Sequence, residues 1–233
     1  MPPKTSKSRD DGSAASKKER RRLETEFIKA RKAVLDAANS NADHLSILPA
    51  FKAFKCDGVD VSLSYSGAAA LDDATLHACF DLLKRNMEQH YVASYGSWSD
   101  KEKLAELKHA DARYVLVRDA SGTLVGFVHL RFEWESDDLV LYVMEIQLDA
   151  AVRRKGLGKR LMQTLELIAR KAALDAIWLT VLGSDVDARR FYDKLAYEKV
   201  YSADDDVERD DKHSYTVLRK SFPSAAALAH HPI

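Results

Sequence analysis

Apolar residues recur at spacings of three and four in the first part of the chain. Between Lys17 and Ala38 they form one stripe, which consists of Leu23, Phe27, Ala30, Val34 and Ala38. This stripe predicts an amphipathic helix whose apolar face lies against the rest of the protein. A second helix is predicted from Asp72, its N-cap, to His90. A third begins at Ser99, because Glu102 follows at capping-box spacing.

The pattern then changes to one typical of β-strands. Residues 113–119, 123–135 and 139–149 are rich in β-branched and aromatic side chains, and the short polar stretches "ASG" and "SDD" separate them. Strands joined by such tight turns pair with their neighbours in sequence. The three segments therefore predict an antiparallel meander.

The rest of the chain alternates between helix and strand. It predicts a helix over Gly156 to Ala172, a strand over 176–181, a helix over 185–196, and two closing strands, 197–202 and 213–220, around an acidic loop, 203–211. We divide the chain into four parts: a disordered basic tail, an N-terminal helical segment packed on the core, the main domain and a flexible C-terminal tail. Their ranges are 1–16, 17–65, 66–222 and 223–233.

Composition limits the class of protein. Hydrophobic residues make up 46% of the 233 residues, which is enough for one core. No apolar run approaches the roughly 20 residues that span a bilayer, and the N-terminus lacks a signal-peptide pattern. Cys56 and Cys79 have neither metal-ligand nor disulfide-framework spacing, which suits a reducing compartment. These observations predict a soluble, intracellular protein that binds no metal.

The net charge of zero conceals an asymmetry. Residues 1–32 carry 11 Lys and Arg against 5 Asp and Glu, which leaves 25 basic and 31 acidic residues for the remainder. The acidic body is suited to a cationic partner. The basic arm is interpreted as a solvated tail, with weak nucleic-acid contact as an alternative. Its "KKERRR" run, 17–22, also resembles a nuclear-import patch.

Two glycines and several cations occupy the start of the helix predicted at Gly156. The free N–H groups and dipole of a helix N-terminus bind anions, and glycine lets the backbone approach them closely. Two well-known phosphate loops do not match. A Walker A loop would require glycine in place of Arg153 and Ser or Thr in place of Arg160, and a dinucleotide fingerprint would require glycine in place of Leu161. The anion predicted here is a pyrophosphate.

The segment from Arg153 to Gly158 resembles the acetyl-CoA loop of the GNAT acetyltransferase superfamily, Arg/Gln-x-x-Gly-x-Gly/Ala. The segments "YVASYGSW", "DKEK", "VHLRFEWE", "LYVMEIQL", "VRRKGLGK" and "SYTVL" are similar to the histone-directed N-terminal acetyltransferases of the NatD family. The similarity covers roughly residues 20–220. It implies an α+β GNAT fold, with a central mixed, mostly antiparallel sheet, flanking helices and an extra N-terminal helix.

The resemblance implies acetyl-CoA as the cofactor and no metal. Two strands splay apart in this family, so that backbone near Ile146, Gln147 and Leu148 holds the pantetheine arm. The pyrophosphate would lie on the loop residues, which are Arg153, Arg154, Lys155, Gly156, Leu157, Gly158 and Lys159. Asp185 stands where many members carry an asparagine that contacts the cofactor.

The resemblance implies that Glu145 is the general base. From strand alternation we place it on the same pleat face as Val143 and Gln147. A carboxylate among apolar strand residues is costly without a role or a partner, and the structural alternative is a pair with a nearby lysine. Glu133 is a candidate to share the deprotonation, and Tyr215 is a candidate to protonate the departing thiolate, although a buried tyrosine is more often part of a core.

The substrate pocket implied by the resemblance is aromatic and acidic. Its candidate residues are Tyr91, Trp98, Glu133, Glu135, Tyr142, Thr180 and Tyr215. An outer strand with Glu133 and Glu135 is alternatively a solvated face. Besides Asp185, two positions depart from the family pattern, because Met144 stands in place of an aromatic residue and Gly96 in place of a tryptophan.

The function implied is acetyl transfer to the N-terminal amine of core histones of the four and two-A types, whose tails begin Ser-Gly-Arg-Gly. The alternatives are a GNAT enzyme that acts on a lysine side chain or a small amine, and an inactive module that binds acyl-CoA or chromatin. The resemblance favours a monomer found in the nucleus and cytoplasm. No membrane partner is predicted.

Overall fold

A computed structural model of the protein describes residues 11–205 and 213–222, with side chains from residue 16 onward. The predicted C-terminal tail and most of the predicted acidic loop lie outside the described residues, as do residues 1–10 of the predicted tail. Within the described ranges the α-helices are α1 Asp11–Ser40, α2 Asp73–Tyr95, α3 Asp100–Leu107, α4 Leu157–Lys171 and α5 Val186–Lys194. Among these residues, no helix is both long and apolar enough to cross a lipid bilayer.

One sheet connects all the strands of the described residues, in the order β1-β2-β3-β4-β5-β6-β8-β7. The strands are β1 Ala53–Cys56, β2 Val59–Gly67, β3 Arg113–Asp119, β4 Leu124–Glu135, β5 Asp138–Leu148, β6 Ala176–Leu182, β7 Glu198–Ser202 and β8 Tyr215–Ser221. Only the β5–β6 pair is parallel within this sheet. The predicted fold class and the predicted meander are therefore confirmed.

The helices cover the two faces of this sheet. The main core lies on one face, where the C-terminal part of α1 and the apolar side of α4 pack against alternate strand residues. A second cluster lies on the other face and joins α2 and α3 to β3 and β4. The predicted caps are confirmed, since Asp72 accepts a hydrogen bond from the Thr75 N–H and Ser99 accepts one from the Glu102 N–H.

The first two strands were not predicted. Residues 53–65 belong to a hairpin, so the interpretation of 17–65 as a helical segment is wrong for this part, and the proposed boundary at 65 falls inside β2. The turn residues Asp57 and Gly58 both have positive φ, 49° and 76°. An Asp-Gly pair followed by alternating apolar residues favours such a hairpin turn. That signal was present in the sequence.

The apolar stripe of α1 packs against the body only in its second half. Val34, Leu35 and Ala38 join the main core, whereas Leu23 and Phe27 are 54% and 49% exposed. The prediction that the whole stripe lies on the body is therefore wrong for its first half. The reason is length: a 30-residue helix is about 45 Å long, and it extends past the sheet.

Arg31 attaches α1 to the sheet. Its guanidinium group donates hydrogen bonds to the Asp175 carboxylate and to the Asp137 carbonyl oxygen, and it lies over the rings of Phe27 and Trp134. The Arg31 and Asp175 side chains are only 12% and 15% exposed. Loss of Arg31 would leave the Asp175 carboxylate buried without its cation.

We expect Arg31→Ala to lower the free energy of unfolding by about 1–3 kcal/mol, because hydrogen bonds to a buried charged group are worth that much. Urea denaturation of the full chain measures the change. Arg22→Ala is the matched control on the same helix. Its pair with Glu19 is more than half exposed, so the control should change stability by less than about 0.5 kcal/mol. Equal effects of the two substitutions would contradict this role for Arg31.

Candidate active site

The parallel strands β5 and β6 separate partway along their length. Their pairing ends at Val143 and Leu179, although β5 continues to Leu148 and β6 to Leu182. A cavity of about 1220 Å³ begins at this point and is lined by residues of both strands beyond the last pair. That volume exceeds the range of about 300–1,000 Å³ for drug-sized ligands. The edge of β5 that faces the cavity has no neighbouring strand, so its backbone groups are available to a ligand.

The N-terminus of α4 forms one end of the cavity. Gly156 is its N-cap residue, with φ of 85°, and no side chain caps the helix. The N–H groups of the first turn therefore remain available for an anion. At Gly158 an added Cβ would lie 3.4 Å from the Phe191 ring, so a small residue is favoured at this position. Arg153, Arg154 and Lys159 also line this end of the cavity.

A β-bulge decides the direction of the Glu145 side chain. His129 of β4 pairs with Glu145, but the next residue, Leu130, pairs with Val143, which leaves Met144 as the extra residue in β5. Alternation is reversed across such a bulge. Val143 and Ile146 accordingly both pack in the main core, whereas Glu145 faces the cavity. The prediction that Glu145 shares a face with Val143 is therefore wrong.

Glu145 is buried and receives a hydrogen bond on each carboxylate oxygen. The Tyr91 hydroxyl donates to Oε1 at 3.3 Å, and Gln147 Nε2 donates to Oε2 at 2.9 Å. Burial raises the pKa of Glu145 to about 7, while the Gln147 hydrogen bond and the charge of Lys103 act in the opposite direction. A carboxylate with a pKa near neutrality can accept a proton and release it again.

A group of acidic and aromatic residues lies beside Glu145 in the same cavity. Glu133 and Glu135 of β4 line it together with Tyr142 and Thr180. The Tyr142 hydroxyl and the Thr180 Oγ1 are 2.7 Å apart. Burial raises the pKa of Glu133, and the nearby Arg131 lowers it. This end of the cavity is suited to a cationic substrate, whereas the α4 end is suited to an anion.

Residues 77–197, just over half of the chain, match the acetyltransferase (GNAT) family. The chain belongs to the GNAT family. A relative from Danio rerio, N-alpha-acetyltransferase 50, is 29% identical over 164 residues, which are 69% of this chain and 93% of the relative.

Solved structures agree with this GNAT fold. A GNAT acetyltransferase from Staphylococcus aureus Mu50 has a TM-score of 0.51 at 11% identity, and the match covers 69% of this chain and 99% of the Staphylococcus aureus chain. Ard1 from Thermoplasma volcanium has a TM-score of 0.50 at 14% identity, with 68% and 97% covered. At such identities the likeness concerns the fold alone. The acetyl donor of this fold is acetyl-CoA, and the cavity between the splayed strands has the anion-binding end that it requires.

Most of the predicted cofactor residues line the cavity of this GNAT protein. Ile146, Gln147 and Leu148 do so from β5. Lys155 and Leu157 do not line it, and the Leu157 side chain is buried in the main core. Leu157 is therefore a candidate for cofactor contact only through its backbone N–H group. Asp185 lines the cavity and caps α5, because its carboxylate accepts a hydrogen bond from the Ala188 N–H at 2.9 Å.

Two predicted aromatic residues lie outside the cavity wall. Tyr215 and Trp98 do not line the cavity. Trp98 instead packs edge-on against Tyr91, with ring centroids 5.3 Å apart. Tyr95 does line it. Gly96 follows Tyr95 and ends α2 in the left-handed conformation with φ of 79°, where a bulky residue would be strained.

Sequence reasoning missed several residues of the site. Asn86 of α2 and Lys103 and Glu106 of α3 line the cavity and belong to the hydrogen-bond network around Glu145. Tyr192 of α5 is buried and also lines the cavity. Burial raises the pKa of its hydroxyl, with the charge of Glu145 as a further cause. Tyr192 therefore remains protonated. No local pattern separates these residues from ordinary helix residues.

Arg154 is held by a carboxylate at the rim of the cavity. It pairs with Asp187 of α5 at 2.8 Å, and both side chains are largely exposed. An anionic ligand at the α4 end must compete with Asp187 for this cation. We expect Asp187→Asn to tighten acetyl-CoA binding by about two- to fivefold, since exposed pairs are worth up to about 1 kcal/mol.

Calorimetry with the full chain tests this expectation, and the gain should shrink at high salt. Asp193→Asn is the matched control, because Asp193 pairs with Arg189 on the same helix at 3.1 Å and neither residue lines the cavity. It should leave the affinity unchanged. Weaker binding by Asp187→Asn would mean that Asp187 supports the cofactor site rather than competing with it.

Within residues 11–205 and 213–222 no three His, Cys, Asp or Glu side chains are grouped as a metal site would require.

Proposed function

We propose that this GNAT protein transfers the acetyl group of acetyl-CoA to the N-terminal amine of a protein, and that its substrates are histone tails beginning Ser-Gly-Arg-Gly. The observation that carries the proposal is the position of Glu145. It is a buried carboxylate with a pKa near neutrality, placed between the anion-binding end of the cavity and the acidic end. The similarity to N-alpha-acetyltransferase 50 supports the N-terminal amine as the acceptor.

The residues of the cavity fit acetyl-CoA. The N–H groups of the first turn of α4, with Arg153, Arg154 and Lys159, would hold its pyrophosphate. The free edge of β5 from Met144 to Leu148 would hold the pantetheine arm. When bound, acetyl-CoA supplies a reactive thioester.

Glu145 and Tyr192 would carry the proton transfers. An α-amine has a pKa near 8, so a base of pKa about 7 is sufficient to deprotonate it. Glu145 accepts that proton, and the Gln147 and Tyr91 hydrogen bonds hold the carboxylate in place. Tyr192 and Tyr215 are both candidates to protonate the departing thiolate, and of the two Tyr192 lines the cavity.

The acidic end would select the peptide. Glu133 and Glu135 offer two carboxylates to the guanidinium group of a third-position arginine, a pairing that favours bidentate hydrogen bonds. Tyr142, Tyr95 and Tyr91 restrict the space for the first two residues, which are small in these tails. The nuclear and cytoplasmic location, the monomeric state and a nucleic-acid contact of the basic arm stay predictions.

The test is acetyl transfer to synthetic peptides. The first peptide begins Ser-Gly-Arg-Gly with a free amine, the second is the same with a blocked amine, and the third replaces the arginine by alanine. We expect product from the first and third peptides but not from the blocked one, and a markedly higher KM for the third than for the first. Lysine acetylation of the blocked peptide would favour the lysine-directed alternative. No product with any peptide, together with intact cofactor binding, would favour an inactive binding module.

The rate of peptide acetylation should fall as the pH decreases through about 7. Glu145 must be ionised to accept a proton, so below its pKa the active fraction decreases tenfold for each pH unit. The measurement is kcat/KM between about pH 5.5 and 9. Each value is divided by the fraction of the peptide amine that is neutral at that pH. A corrected rate that stays constant across this range would exclude Glu145 as the base.

A further inference from the structure

Lys103 of α3 contacts Tyr91, one of the two hydrogen-bond donors to Glu145. The Lys103 side chain is only 12% exposed. Its Nζ lies 2.9 Å from the Tyr91 hydroxyl oxygen and 2.9 Å from Glu106 Oε2, and 4.0 Å from the centroid of the Tyr91 ring. Tyr91 in turn donates to Glu145. The ammonium group is thus one residue removed from the candidate base.

The chemistry of these groups fixes the direction of each hydrogen bond. An ammonium group can only donate, so the Tyr91 oxygen accepts from Lys103 and its own hydrogen points toward Glu145. Asn86 acts similarly on the other oxygen. Its Nδ2 donates to Gln147 Oε1 at 3.0 Å, which leaves the Gln147 amide nitrogen to donate to Glu145. Both donors to the carboxylate are therefore oriented by residues of the helices.

We propose that Lys103 is a positioning residue for the candidate base: through Tyr91 and through its charge, it favours the ionised form of the buried Glu145 side chain. This inference rests on the proposed function for its catalytic consequence. Lys103 does not have to touch either substrate for this role. Glu106, which is 42% exposed, compensates for the cost of burying the ammonium group.

Other groups near Glu145 do not replace this cation. The titratable and charged residues that pair with it, influence its ionisation or line the same cavity include Tyr91, His90, Lys103, Glu106, His129, Arg131, Glu133, Glu135 and Tyr192. Burial lowers the pKa of His129 to about 3, so it is neutral. Arg131 donates to the Glu106 carbonyl oxygen and lies toward Glu133. Among the described residues, Lys103 is the cation that is connected to Glu145 by hydrogen bonds, through the Tyr91 hydroxyl.

The test measures the titration of Glu145 directly in the 233-residue chain without ligands. Isotope-edited infrared spectra, with Glu145→Gln as the reference, report the carboxylate band. We expect Lys103→Met to raise the titration midpoint by about one unit, the usual effect of losing a nearby opposite charge. Lys103→Arg should restore it. An unchanged midpoint in Lys103→Met would overturn the proposal.

A matched control and a second variant complete the design. Lys84→Met is the control, because Lys84 also pairs with carboxylates of α2 and α3 but is not hydrogen-bonded to Tyr91. This substitution should leave the titration midpoint of Glu145 unchanged. Lys103→Gln keeps a donor without the charge. If Lys103→Met does not fold, a raised midpoint in Lys103→Gln supports the role of the charge, and an unchanged midpoint overturns it.

Peptide acetylation gives the functional readout. Lys103→Met should lower the rate about tenfold at pH 6 and leave it nearly unchanged at pH 9, because Glu145 can still ionise there. A uniform loss at all pH values would indicate a merely structural role. The two proposals can fail separately. Absence of peptide acetylation by the wild type would contradict the proposed function, whereas the infrared titration still decides the role of Lys103.

Discussion

Glu145→Gln should lower kcat for peptide acetylation by about 10²–10⁴-fold, the usual loss when a general base is removed. Gln has the same shape as Glu and keeps an oxygen that accepts a hydrogen bond, but it cannot take up a proton. Glu145 lies beyond the anion-binding end of the cavity, so the affinity for acetyl-CoA should change little. Steady-state kinetics with the Ser-Gly-Arg-Gly peptide and calorimetry with acetyl-CoA measure the two effects.

The stability of this variant provides its control. Because the folded-state pKa of Glu145 is raised from about 4.5 to about 7, ionisation of this group destabilises the folded protein as the pH rises through that interval. The free energy of unfolding of Glu145→Gln minus that of the wild type should therefore increase between pH 4 and pH 8, by on the order of 3 kcal/mol. A folded, stable variant with wild-type turnover would remove Glu145 from the catalytic residues.

Glu133→Gln separates the two candidate carboxylates. Glu133 is half-buried on β4 and lies toward the acidic end of the cavity. If it only binds the peptide, its substitution should raise KM for the peptide and leave the pH dependence of kcat unchanged. A loss of kcat as large as that of Glu145→Gln would show that the two carboxylates act as one unit.

Gly156→Val should weaken acetyl-CoA binding at least tenfold. Gly156 has φ of 85°, a conformation that costs an ordinary residue about 1–2 kcal/mol and a β-branched residue more. The chain can relieve this strain only by moving the loop, which withdraws the first N–H groups of α4 from the anion. Isothermal titration calorimetry with acetyl-CoA measures the change, and kcat at saturating cofactor should fall less than the affinity.

Gly122→Val is the matched control for this strain. Gly122 has φ of 86° in the turn between β3 and β4, and an added Cβ there would contact nothing within 4 Å, as at an open surface. Both variants should lose similar stability in thermal unfolding, but only Gly156→Val should lose affinity for acetyl-CoA. Equal affinities in the two variants would exclude the start of α4 as the pyrophosphate site.

The features that could be predicted from the sequence depend on residues close together in the chain. The caps at Asp72 and Ser99, the tight turns of the β3–β5 meander and the glycines at the start of α4 are each specified by residues close together in the chain. The hairpin at Asp57 and Gly58 belongs to the same class, since its turn and its alternation are local, and the interpretation as a helical segment overlooked them.

The features that could not be predicted depend on packing between distant segments. An apolar stripe does not reveal where the sheet ends, so the exposed half of α1 could not be distinguished from its packed half. Tyr192 and Lys103 resemble ordinary surface or core residues in sequence. Only the placement of α5 and α3 against the splayed strands makes them part of the site.

The sequence by itself determined the identity of the chemical groups: a glycine-rich helix start that can hold an anion, and carboxylates on two neighbouring strands. The tertiary structure alone decided how they face each other. A single extra residue, Met144, reverses the alternation of β5 and turns Glu145 into the cavity. The physical reason is that a bulge is a property of the pairing between two strands, and the sequence of one strand does not specify the register of its neighbour.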